Sequence, residues 1–187
     1  IEPLNLEKIH VMVELACKNL AGVSASQVEI NSGIQFYDGI TTREIQEILI
    51  RSASDLIDLD HPNYQCVAAR LLLFTLRKQV FGRIHDHPPL IEQVKNCVEA
   101  GVYDKELLNL YTEQEFAKLE SCIYHDRDYL FTYAGLRQIV DKYLVQDRST
   151  GALYESPQFM YLLISASIFS KYPEDTRLDY IKKYYDA

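Results

Sequence analysis

"TTREIQEILIRSASDL", residues 41–56, carries both signals that start and sustain a helix. Thr41 followed by Glu44 is a capping box, in which a hydroxyl serves the third amide of the helix and a carboxylate reaches back to the first. Ile45, Ile48, Leu49, Ser52 and Leu56 then recur on one face at helical spacing. The same rhythm extends outward on both sides. Upstream, Ser24 and Gln27 form another box for a helix running toward Ile34. Asn5 caps a first helix with Leu6, Ile9, Val13, Ala16 and Leu20 inward and Gly22 as its stop. Gln35–Gly39, between two of these helices, reads as a short strand or an extended loop. Downstream, Pro62 sits where helices begin, and Tyr64, Val67, Leu71, Thr75 and Lys78 keep helical spacing until Gly82. Four such helices predict a compact bundle, preceded by Ile1–Leu4 as the tail of a strand.

"GRIHDHPP", residues 82–89, concentrates Gly, Pro and His between two periodic regions. It marks the expected domain boundary, dividing the chain into 1–82 and 83–187. The second part is again helical. One helix spans Pro89 to Ala100 with Gly101 as its stop, Asp104 caps a short one, and Thr112 with Glu115 boxes a third that turns Phe116, Leu119 and Ile123 inward. Helical rhythm returns over Tyr133–Val140. In "KYLVQDRSTGALYES", residues 142–156, the period changes to two around a polar turn, which predicts a small hairpin. Ser156-Pro157 then launches an apolar helix through Phe169, and Pro173 starts the last one.

The 187 residues suffice for one ordinary domain or two small ones, and 48% apolar with 25% charged residues is a globular composition. The longest apolar stretch, Phe159 to Phe169, is far short of the roughly 20 residues a bilayer requires. No signal pattern opens the chain, so the cytoplasm is the expected compartment and a membrane is not an expected partner. A net charge of -8 with scattered Lys and Arg argues against nucleic acid as a partner. Cys17, Cys66, Cys97 and Cys122 form no CxxC pair and read as reduced and mostly buried.

A few residues could carry chemistry. Lys8 stands in the first turn of a helix, where the dipole disfavours a cation; a solvated side chain is the bland account and contact with a bound anion the sharper one. Thr42 opens a helix whose free amides suit a phosphate, although its hydroxyl could simply be a cap. Lys78 complements the dipole of a helix end and needs no ligand to explain it. "HDH", residues 85–87, could join His61 or Asp60 around a metal, but lacks companions at ligand spacing. No metal site is expected. "HDRD", residues 125–128, reads as an ion-paired turn capping a helix, and the fourteen tyrosines read as packing. No P-loop, GxGxxG, GxSxG or HExxH is present.

The strings "NLEKIH", "IQFYDGITTREIQ", "YQCVAARLLLFTLRK", "HDRDYLFTY", "KYLVQDRSTGALYESPQF" and "DTRLDYIKKYYDA" together closely resemble the N-terminal part of the large (alpha) subunit of class Ia ribonucleoside-diphosphate reductase. The resemblance runs over essentially the whole chain in order. It implies a mainly α fold: an ATP-cone, which is a four-helix bundle with the remnant of a small β lid, followed by a helical domain containing one short β-hairpin. It also implies that a strand and basic turn precede residue 1 and that a catalytic barrel follows residue 187. The parent enzyme would be an oxidoreductase that makes deoxyribonucleoside diphosphates for DNA synthesis, with the catalytic cysteines outside this span and no catalytic residue here. The cone would bind ATP as activator and dATP as inhibitor through Glu2, Asn5, Lys8, Thr42 and Lys78, with Ile9, Ile45 and Gln46 as further contacts. Gln46 and Thr75 stand where the best-known members carry histidines. Partners would be the adenine nucleotide, other alpha subunits, and a small (beta) subunit that holds a di-iron tyrosyl radical. Two other classes remain to compare. A stand-alone nucleotide-responsive repressor would need a zinc ribbon or basic reading helix, which is absent; a helical interaction module would bind no nucleotide and catalyse nothing.

Overall fold

The computed structural model describes residues 4–187. The expected strand tail at the start of the chain and the candidate Glu2 therefore lie outside the described residues, as does any remnant of a lid built on them. The regular structure of the described residues is helical except for one two-stranded sheet: α1 Leu6–Cys17, α2 Ala25–Gly33, α3 Thr42–Ser54, α4 Tyr64–Phe81, α5 Leu90–Glu99, α6 Leu107–Leu110, α7 Glu113–Ser121, α8 Tyr133–Lys142, β1 Gln146–Asp147, β2 Ala152–Leu153, α9 Pro157–Phe169 and α10 Arg177–Asp186. His125–Leu130 form a 3-10 turn. β1 and β2 pair antiparallel with Gln146 opposite Leu153, which is the hairpin expected from the change of period. Among the described residues no helix is long and apolar enough to cross a membrane.

Two compact units make up the chain. The first comprises residues 1–75 and 129–141, the second 76–128 and 142–187. In the first, the expected faces of α1, α3 and α4 supply the core: Ile9, Val13, Ala16, Leu49, Val67 and Leu71 are all buried, and α2 adds Val28 between α1 and α3. Leu136 of α8 joins the same unit fully buried. In the second, Leu90, Val94, Phe116, Leu119, Phe159, Leu162 and Ile181 form one apolar cluster. α9 is apolar nearly all round and leaves Ile164 and Ile168 about half exposed.

Helix starts follow the sequence where the cap is local. Asn5 Oδ1 accepts from the Lys8 amide at 3.0 Å, and the Thr41–Glu44 and Thr112–Glu115 boxes are both complete. Where a distant side chain competes, the local rule yields. The Ser24–Gln27 box is only half made: Gln27 N donates to Ser24 Oγ at 3.4 Å, but the Gln27 side-chain oxygen accepts from Tyr64 Oη at 2.9 Å, and Ser24 N donates to the same Tyr64 oxygen at 3.0 Å. Tyr64→Phe leaves the Ser24 amide without its acceptor. It is expected to lower the unfolding free energy by about 1–3 kcal/mol, read as a shifted urea midpoint with an unchanged slope.

Several boundaries differ from the expectation. α1 stops at Cys17 and not at Gly22, because Arg70 of α4 donates Nη1 to the carbonyls of Ala16 and Lys18 at 3.0 and 2.6 Å. With those terminal acceptors satisfied, the chain turns away at Asn19, which takes φ 60, a conformation that asparagine tolerates. Gln35–Gly39 forms successive turns, with Gln35 N donating to Ser32 O and Ile40 N to Tyr37 O, so of the two alternatives it is the loop. Asp104 Oδ1 accepts from Glu106 N at 2.9 Å, one turn ahead of α6 and not as its cap. α10 begins at Arg177, after a turn in which Pro173 O accepts from the Thr176 and Arg177 amides. Only Cys97 is buried; Cys17, Cys66 and Cys122 are half-buried, and all four are free thiols.

Candidate functional site

The α1 and α3 N-termini hold the candidate residues of the first unit. The first amides of a helix have no partner inside it. At α1 the Lys8 amide is taken by Asn5, so those of Leu6 and Glu7 remain. At α3 the Thr41 amide donates to Glu44 Oε2 at 2.8 Å and the Glu44 amide to Thr41 Oγ1 at 3.2 Å, leaving those of Thr42 and Arg43. Capping falls to Thr41, which frees the exposed Thr42 hydroxyl from that duty. Glu44 is fixed from the other side by the Tyr37 hydroxyl at 2.7 Å. The amide and hydroxyl of Thr41, with that phenol, hold its carboxyl below the ordinary range.

Asn5, Lys8 and Ile9 are thus neighbours on the first turns of α1, and Thr42, Ile45 and Gln46 on the first turns of α3. Lys8 and Thr42 are exposed, Ile45 and Gln46 are half-buried, and Ile9 is buried at 8% exposure. Lys78 is exposed in the last turn of α4, where its carbonyl accepts from the Gly82 amide at 3.0 Å, and it belongs to the second unit. Gly82 takes φ +72, the left-handed closure that suits glycine at a helix end.

Beside α1 lies a hollow of about 480 Å³ lined by Leu6, Ile9, His10, Glu29, Ser32 and Phe36 among others. His10 Nδ1 lies 2.7 Å from Glu29 Oε1, and this contact raises the imidazole pKa. The helix start signals gave no hint of this pair, since it joins α1 to α2 across 19 residues of chain. The role of Arg70 also goes unread in the sequence; the available signal is a charged residue set between the apolar runs "CVAA" and "LLLF" of "YQCVAARLLLFTLRK".

Among the described residues, the buried charges lie in the second unit. Arg77 Nη2 donates to Asp128 Oδ2 at 3.0 Å and to the His125 carbonyl at 2.9 Å. Asp128 Oδ1 accepts from Gln158 Nε2 at 2.8 Å, and Gln158 Oε1 accepts from the Tyr185 hydroxyl at 2.6 Å. Burial raises the Asp128 pKa while Arg77 and Gln158 pull against it. "HDRD" is therefore ion-paired as expected, Arg127 reaching Asp186 at 2.7 Å, but its acids and bases tie α4, α9 and α10 to the turn and cap no helix. Near the hairpin, Glu155 accepts from the Val145 amide at 2.8 Å and from the Tyr103 hydroxyl. Burial raises its pKa. Among the described residues no group of three or more His, Cys, Asp or Glu is placed to hold a metal ion.

Residues 1–79 match the family model described as the ATP cone domain, and residues 129–187 the one described as ribonucleotide reductase, all-alpha domain. Over 186 residues, 100% of this chain, it is 53% identical to the ribonucleoside-diphosphate reductase 1 subunit alpha of Salmonella typhimurium and 51% identical to that of Escherichia coli. The alpha subunit of Enterobacteria phage T4 is 43% identical over 89% of the chain and is itself covered to 22%. The chain spans 24% of the length of the two bacterial relatives. The chain thus joins an ATP cone match on its first 79 residues to a reductase all-alpha match on residues 129–187, and along its whole length it is similar to part of ribonucleoside-diphosphate reductase alpha subunits.

Proposed function

We propose that this chain is the adenine-nucleotide-sensing part of a ribonucleotide reductase alpha subunit. ATP and dATP are its effectors, and the triphosphate is received by the start of α1 and the start of α3. The observation that carries the reading is the ATP cone match over residues 1–79. It is supported by two helix N-termini whose uncommitted amides sit beside a lysine at one and a hydroxyl at the other. Backbone amides at a helix start favour phosphate oxygens, and an ammonium beside them adds a charge-assisted contact. In a chain of net charge -8 such a local cation is what an anion requires. Asn5, Lys8, Ile9, Thr42, Ile45 and Gln46 form this reading's site in the first unit. Glu2 and Lys78 are assigned to the same nucleotide by resemblance alone, each tested by its own substitution.

The parent chain would reduce ribonucleoside diphosphates in the cytoplasm, using a thiyl radical generated with a small subunit that carries a di-iron tyrosyl radical. No residue of this span takes part in that step. ATP and dATP differ by one hydroxyl. They can drive opposite outcomes only if their affinities differ between two assemblies of the subunits, which makes self-association of alpha the natural readout.

Titration calorimetry of the chain with ATP and dATP, with GTP as control and the full-length alpha subunit carrying the same residues in parallel, tests the reading. Saturable binding of both adenine nucleotides, each displacing the other, is the expected result. Absence of heat from either nucleotide in both samples overturns it and leaves a helical interaction module.

A further inference from the structure

Two histidines that the nucleotide reading leaves unused, His87 of "HDH" and His125 of "HDRD", meet inside the second unit. Their rings are parallel to within 4° with centroids 3.6 Å apart. Phe159 of α9 stands edge-on to both, at 5.2 Å from His125 and 6.4 Å from His87, and Phe81 closes the His87 side at 5.3 Å. Neither His87 Nε2 nor His125 Nδ1 is accessible, and neither has a hydrogen-bond partner. A single metal ion does not explain the pair, because the nitrogen lone pairs lie in the ring planes and two parallel planes share no point.

The arrangement is instead hostile to a proton. An imidazolium carries N–H on both nitrogens, so charging either ring would aim a cationic donor at hydrocarbon with no acceptor. The charged neighbours are Arg77 from α4, Arg83 and Asp86 from the connector, and Asp126 and Asp128 from the turn; α9 contributes the apolar Phe159. Arg77 and Arg83 oppose a further cation. Asp128 is engaged by Arg77 and Gln158, Asp86 lies 3.9 Å from Arg83, and only Asp126 favours protonation of His125. Burial, then His125, Arg77 and Arg83, push His87 down to about 3. Burial and Arg77 push His125 down to about 4.

We propose that the His87–His125 stack is an acid-sensitive clasp: while both rings are neutral it fixes the 82–89 connector to the 125–130 turn, and it releases when the rings are protonated. The sign follows from linkage. In the open state both rings return to an ordinary histidine value near 6.5. Above that value neither state takes up the protons, and the clasp is at full strength. As pH falls below it, only the open state binds them. The closed-to-open ratio then drops by up to about tenfold per histidine for each pH unit, and about a hundredfold when both respond. The loss continues until pH reaches the depressed values of the closed state.

Proton NMR titration of the five histidines of the chain, combined with amide exchange at pH 7.5 and 5.0 corrected for intrinsic rates, tests this. His87 and His125 are expected to keep neutral ring shifts below pH 5, while His10 titrates above the ordinary value because of Glu29. Residues 82–89 and 125–130 are expected to lose at least tenfold of their protection over the same interval. His87→Phe keeps an aromatic ring in the stack and removes one proton site, so its protection should fall about 30-fold less over this interval. Either ring titrating near 6.5 in the folded chain overturns the clasp, as does wild-type protection that ignores pH, or a His87→Phe chain that responds as fully as wild type. The wild-type measurements decide the matter even where the variant fails to fold.

Discussion

Asp128→Ala is expected to cost about 3–5 kcal/mol of unfolding free energy. Asp128 and Arg77 are exposed by only 1% and 2%, and the carboxylate holds both Arg77 and Gln158. Removing it leaves a guanidinium charge in the interior with its carboxylate gone, and the Gln158 amide with no acceptor there. An uncompensated buried charge is worse than the pair was good. Arg77→Met combined with Asp128→Leu should therefore recover most of the loss, because it removes both desolvated charges together. A double-mutant cycle by urea denaturation reads the coupling directly. Asp128→Ala losing less than about 1 kcal/mol, the scale of an exposed pair, would show that the charges are solvated and that the pair does not organise the second unit.

That network also marks how far the sequence could be read. Asn5, Thr41 and Thr112 were legible because each cap lies three residues from the amide it serves, and the apolar face of α3 followed from period alone. The end of α1 was not legible, since Arg70 closes it from more than 50 residues away. The half-made box at Ser24 likewise depends on Tyr64, and the role of "HDRD" depends on Arg77 and Gln158. His87 and His125 were each visible in a polar string that favours no particular partner; only the fold stacks them. At the candidate nucleotide site the legible signal was a violation, a lysine in a helix first turn. The neighbouring cap by Thr41, which releases Thr42, required the structure.

Lys8 turns that violation into the second large prediction. A cation in the first turn opposes the helix dipole at a cost of about 0.3–1 kcal/mol, and Asn5 already satisfies its amide. Lys8→Glu should thus stabilise the chain slightly, by up to about 1 kcal/mol, since an acid suits the position. The same substitution removes a charge-assisted contact with the triphosphate, worth about 1.5–3 kcal/mol or roughly 10- to 150-fold in affinity, and places a like charge in its stead. ATP binding should weaken by about 100-fold or more while the urea midpoint rises. A merely structural lysine would move the two measurements together or leave affinity untouched. Opposite signs in one variant are the signature of a residue kept for its ligand at the expense of its helix. Unchanged ATP affinity in Lys8→Glu, with the wild-type chain binding the nucleotide, would move the phosphate site away from α1.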